Sequence, residues 1–182
     1  YPEDETSCWA VIGNPQFRSD VMDVHSRTAP PPIIHTAEEG IDKLVWREPL
    51  AGHVYAGGMD PSTGEGDDPM AFEIVDCVTG EQAAQLYGKA DVDVCLGQVD
   101  RLAARYGALV NIERTGIGVP TVQRAMRFPW LSEHLWQQPW EKGVETKYGA
   151  DATVINNAAG MAEVISGVNR GKYRPLGTDL IL

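Results

Sequence analysis

Periodicity divides this chain into segments of different kinds. Val92, Cys95, Leu96, Val99, Leu102, Ala103 and Tyr106 recur at i, i+3, i+4, i+7, i+10, i+11 and i+14, the spacing of one helical face, and predict an amphipathic helix with Asp91 as its N-cap and Gly107 as its stop. Upstream the period shortens. The small, apolar run His53 to Met59 predicts a buried strand that ends in Asp60-Pro61. Met70 to Cys77 and Glu81 to Tyr87 predict two more strands, joined at Thr79-Gly80 as an antiparallel hairpin. Downstream, Ala108 to Glu113 predicts a strand whose parity puts Glu113 on the face of Leu109 and Asn111. The loop Gly116-Ile117-Gly118 then leads into a helix from about Val119 to Met126, with Pro120 tolerated in its first turn, and a last helix is expected from about Val154 to Asn169. Near the start, Phe17, Val21, Met22 and Val24 follow the breaker Gly13-Asn14-Pro15 and predict one helix, and Ala29-Pro30-Pro31-Pro32 predicts an extended connector because proline lacks the amide donor.

Composition narrows the class. With 182 residues, 43% apolar and 23% charged, the chain has material for an α/β core with a smaller appendage. It opens on Tyr1-Pro2-Glu3-Asp4-Glu5 and stops on Leu180-Ile181-Leu182, and reads as part of a longer polypeptide. The net charge of -11 argues against a surface that traps nucleic acid indiscriminately, because non-specific DNA affinity comes from Lys and Arg neutralising phosphates. Any DNA contact is therefore expected to be local, and acidic side chains around a divalent cation would reconcile the charge with a phosphate substrate. Cys8, Cys77 and Cys95 are odd in number and widely spaced, which speaks against a disulfide frame or a zinc site and for a reducing compartment. No apolar run approaches the length of a membrane span, so a soluble, cytoplasmic protein is expected.

The order of elements carries the candidate chemistry: a strand ending in Asp60, a hairpin, a helix, then a strand ending in Glu113. In a mixed sheet the first and last of these strands can lie parallel and adjacent, joining Asp60 and Glu113 at their C-terminal ends. Hard cations such as magnesium prefer carboxylate oxygens and keep waters, and a pair of them can activate a water and steady the leaving oxygen of a phosphodiester without any side-chain nucleophile. That chemistry suits a chain whose four histidines, His25, His35, His53 and His134, sit in unrelated contexts. The loop from Pro61 to Asp68 adds carboxylates, and Asp67 is the expected helper at the metal or its water. Each residue also has an ordinary reading. Asp after a strand is most often a turn former, and Gly-Glu-Gly-Asp-Asp is most often a solvated turn. Glu113 is harder to dismiss, since a carboxylate that ends an apolar strand needs a partner if buried. Gly116-x-Gly118 lies in no larger phosphate-binding motif.

Four stretches resemble the large terminase subunits of tailed bacteriophages. YPEDETSCWAVIGNPQF resembles their linker after the ATPase domain, HVYAGGMDPSTGEGDDPMAFEIVDCVTGEQAAQLYG their first nuclease hairpin, LAARYGALVNIERTGIG their second acidic motif, and GVETKYGADATVINNAAGMAEVISG the segment after it. The resemblance implies residues 1–50 as a lead-in from an ATPase domain and residues 51–182 as an RNase H-like nuclease domain, an α/β mixed sheet flanked by helices and truncated at its C-terminus. It implies a Mg2+- or Mn2+-dependent, two-metal endonuclease that cuts concatemeric double-stranded DNA. Asp60 and Glu113 would be its catalytic metal ligands, with Asp67 as a nearby metal-supporting carboxylate. The implied partners are DNA, a portal protein and a small terminase subunit, in the host cytoplasm with no membrane. One departure matters: the family's third metal-binding Asp lies in a later motif, and Asp179, in Leu-Gly-Thr-Asp-Leu, does not match it. Two rival readings stay open, a non-catalytic module that docks DNA or the portal, and another RNase H-like enzyme such as a transposase or junction resolvase.

Overall fold

A computed structural model describes residues 18–63, 68–138, 147–151 and 154–176. Among them the elements run α1 (Ser19–Thr28), β1 (Ile34–Glu38), β2 (Ile41–Val45), β3 (Tyr55–Asp60), β4 (Met70–Asp76), β5 (Gln82–Gly88), α2 (Val92–Tyr106), β6 (Leu109–Ile112), α3 (Gly118–Ala125), α4 (Leu131–His134) and α5 (Val154–Asn169). The strands form one six-stranded sheet in the order β1-β2-β5-β4-β3-β6. All neighbours are antiparallel except β3 and β6, which are parallel.

The expected hairpin is β4–β5, and α2 spans the expected helix. Asp91 caps it, its side chain accepting from the Asp93 amide at 2.8 Å, and Gly107 ends it in the left-handed conformation at φ 63°. The apolar stripe of α2, from Cys95 and Leu96 through Val99, Leu102 and Ala103 to Tyr106, is buried. It shares one core with Tyr55, Met59, Phe72, Ile74, Val110 and Ile112, which occupy alternate positions of β3, β4 and β6 and so lie on a single face of the sheet. Phe72, Ile74, Val110 and Ile112 are fully buried.

The strands β1 and β2 were not among the expected elements. They pair tightly around Glu39 and Gly40, whose φ values of 54° and 82° are both positive, the arrangement whose twist suits a two-residue hairpin. Their side chains alternate poorly between apolar and polar, because β1 is an edge strand with three of its five residues exposed. Since β2 pairs with β5, residues 34–45 belong to the same sheet as the segment that follows residue 50. The short α4 was likewise unexpected; it begins where Asp100 of α2 accepts from the Trp130 and Leu131 amides at 2.9 and 3.0 Å.

Candidate metal centre

The parallel pair β3–β6 builds the site. Its register sets Gly58 beside Asn111 and Met59 beside Ile112. One step further, the Glu113 amide donates to the Met59 carbonyl at 2.9 Å, so the ladder continues past the end of β6 and brings Glu113 beside Asp60. Parity puts both carboxylates on the face away from α2, on neighbouring strands about 4.8 Å apart. On its other side Glu113 is bridged to Ala150: the Ala150 amide donates to Ile112 at 3.2 Å and the Arg114 amide to Ala150 at 2.8 Å. The backbone around Glu113 is thus held from both flanks.

A third contact fixes the two strand ends together. At Gly118, the first residue of α3, a Cβ would fall 1.8 Å from the Glu113 carbonyl oxygen and 3.6 Å from Cγ of Pro61. Only glycine lets the helix start this close to the Glu113 carbonyl, while Pro61 would be left in ordinary contact. Beside Thr63 a concavity of about 330 Å³ opens, lined also by Ile117, Pro120, Thr121 and Arg124.

The electrostatics are those of a crowded acidic edge. Burial pushes the Asp60 carboxyl above its ordinary range, and the like charge of Asp68 pushes the same way. Asp68 was not singled out from the sequence; Asp67, which was, lies outside the described residues. Asp151, which follows Ala150, is already engaged. Arg114 reaches it with Nε at 2.8 Å and Nη2 at 2.7 Å, and these hydrogen bonds hold its carboxyl below the usual range against a smaller opposing effect of burial. The four histidines serve elsewhere. His35 meets Asp42 at 3.2 Å, His53 meets Asp76 at 2.7 Å, the His134 ring stacks on Trp130 at 3.6 Å, and His25 lines a pocket near Glu81.

One row below the acidic pair, cross-strand partners run Asn111, Gly58, Glu73, Gln85. Glu73 Oε1, Gln85 Oε1 and Asn111 Oδ1 are all buried acceptors without a hydrogen-bond partner among the described residues. Burial pushes Glu73 up to about 8, only partly offset by the hydrogen bond it accepts from Gln82. Among the described residues no group of three or more His, Cys, Asp or Glu could hold a metal ion. The described residues fit a cation only as far as two adjacent carboxylates and the acidic surroundings of Asp60 carry them.

Against solved structures, the chain matches the large terminase nuclease from thermophilic phage G20c with bound cobalt at TM-score 0.61 and 15% identity, covering 85% of this chain and 72% of that one. It matches the same nuclease with bound magnesium at TM-score 0.59 and 14% identity, over 85% and 72%. The fold is that of a terminase nuclease. The Thermus phage P74-26 large terminase nuclease domain has it too, at TM-score 0.59 and 14% identity over 88% of this chain and 74% of that one. No family model matches the sequence, and no curated protein does. Among the described residues no helix is long and apolar enough to cross a membrane.

Proposed function

We propose that this chain is the nuclease domain of a viral DNA-packaging motor, and that it cuts double-stranded DNA with the help of a divalent metal. One observation carries the reading: the parallel register that sets Asp60 beside Glu113 at the C-terminal edge of the sheet. The solved neighbours with bound cobalt and magnesium support a divalent cation at this fold. Asp60 and Glu113 would hold the ion, with Asp67 as a nearby carboxylate and Asp68 adding negative charge at Asp60. Mg2+ or Mn2+ is the expected metal, because a carboxylate-only donor set suits hard cations. When bound, such an ion supplies Lewis acidity and a water of lowered pKa.

The chain's own residues do the rest. The bridge to Ala150 and the contact with Gly118 hold Glu113 in place, while Arg114 keeps Asp151 out of competition. Residues 1–50 would be the lead-in from an ATPase domain, its strands β1 and β2 added to the sheet, and residues 51–182 the nuclease domain; portal protein and small terminase subunit would be the docking partners, in the host cytoplasm.

Plasmid nicking in Mn2+ tests the proposal. Asp60→Asn is expected to lower the rate by about 100-fold or more, since even outer-shell partners of a metal site cost about 10–100-fold. Calorimetric Mn2+ binding should weaken in parallel. A second reading, a module that docks DNA without cutting it, draws on the lack of a three-ligand group among the described residues. Equal inactivity of both proteins, with no Mn2+ bound by either, would favour that module.

A further inference from the structure

A second charged site lies at the opposite end of the sheet. Glu81 is reached by the Asp76 end of β4, whose amide donates to the Glu81 carbonyl at 2.9 Å, whereas Asp60 pairs with Ala71 near the other end. Five strand residues separate the two, about 17 Å. Here two arginines converge on one carboxylate. Arg47 Nε lies 3.2 Å from Glu81 Oε2, and Arg174 Nη1 lies 3.0 Å from Glu81 Oε1. Arg174 is fixed by its backbone: its amide donates to Gly80 at 2.9 Å and its carbonyl accepts from Gln82 at 3.0 Å. His25, Thr28 and Pro30 complete the wall of a cavity of about 210 Å³.

Charge and donors are both in excess. Two guanidiniums face a single carboxylate, which leaves a local positive charge in a chain of net charge -11. Among the described residues Arg47 uses Nε on Glu81 and Nη1 on the Trp46 carbonyl at 3.2 Å, which leaves its other N–H groups, and Arg174 uses Nη1 on Glu81 and no other side-chain donor. The arginine fork is matched to planar or tetrahedral oxyanions. We propose that the cavity between Arg47 and Arg174 binds a phosphate group. Phosphate is favoured over a second carboxylate because its tetrahedral group offers more acceptor oxygens to the two arginine forks. This site is separate from the acidic edge and does not depend on metal binding there.

His25 gives a direct readout. Burial and the nearby Arg174 charge hold its ring below the ordinary histidine range, and an anion seated beside Arg174 would raise it again. The experiment follows the His25 ring proton by NMR, assigned by its loss in His25→Gln, while inorganic phosphate replaces chloride at constant ionic strength. Phosphate is expected to give a saturable shift of the His25 resonance and none for His35, whose ring meets Asp42 in the β1–β2 hairpin. Arg174→Gln should weaken the binding tenfold or more, and Arg47→Gln provides the same test if the first variant unfolds. A short DNA duplex forms the second arm. Saturation by the duplex at far lower phosphate concentration assigns the source to the DNA backbone, and saturation by inorganic phosphate alone assigns it to free phosphate. No saturable shift in either arm, or an unchanged shift in both folded variants, overturns the proposal.

Discussion

Gly57 and Gly58 are neighbours in β3, yet their surroundings differ completely. A Cβ on Gly57 would sit 2.7 Å from the Phe72 ring, whereas one on Gly58 would meet none of the described residues within 4 Å. The first glycine makes room for a core side chain, and the second opens a gap on the other face. That face holds Asp60 and Glu113, and beneath them the unpartnered oxygens of Glu73, Gln85 and Asn111. One side of the sheet is packed to hold the fold, while the other is left chemically unfinished. Burial pushes Glu73 up to about 8, which favours its neutral form at pH 7 and lowers the cost of a carboxyl there.

The comparison can be broken most forcefully from the packed side. Phe72→Ala should cost about 3–5 kcal/mol in a denaturant titration, the range for emptying a fully buried aromatic position. A loss below about 1 kcal/mol would mean that the ring is not the keystone of that face.

Glu73→Gln should have a smaller, pH-dependent effect, on the order of a few kcal/mol at most. The folded value of about 8 exceeds the ordinary 4.5, so the native state keeps a proton that the unfolded chain gives up. The resulting stability is fully present below about 4.5 and is lost as pH rises through about 8. Unfolding at pH 5, 7 and 9 should therefore show wild type weakening relative to the variant. Parallel curves would place a charged Glu73 in the native protein.

Asp60→Asn should change stability least, within about 0.5 kcal/mol, since the residue as a whole is exposed and its carboxyl, partly desolvated and near the like charge of Asp68, gains little from being ionised. A large loss would make Asp60 a structural residue and bring the two faces closer in kind.

Much of this architecture is written in local patterns. The α2 stripe with its Asp91 cap and Gly107 stop, the β4–β5 turn, and the two strands that end in acids all announce themselves within about fifteen residues. The parallel pairing of these two strands, β3 and β6, is one that their order allows. The β1–β2 hairpin does not, because an edge strand need not bury one face and so loses the alternation that marks a strand. Gly118 reads as an ordinary loop glycine until the fold brings it against Glu113. Likewise, nothing near Arg114 in sequence predicts Asp151 as its partner, and choosing among the acids of the 61–68 loop requires their positions in space.

The parallel seam between β3 and β6 has one more consequence. Asp60 and Glu113 stand 53 positions apart, and the whole β4–β5–α2 span must close before they become neighbours. Such long-range closure is slow and comes after local structure forms. A nascent or half-unfolded chain thus carries both acids of the pair without bringing them together, so that acidic edge exists only once the domain has closed on itself.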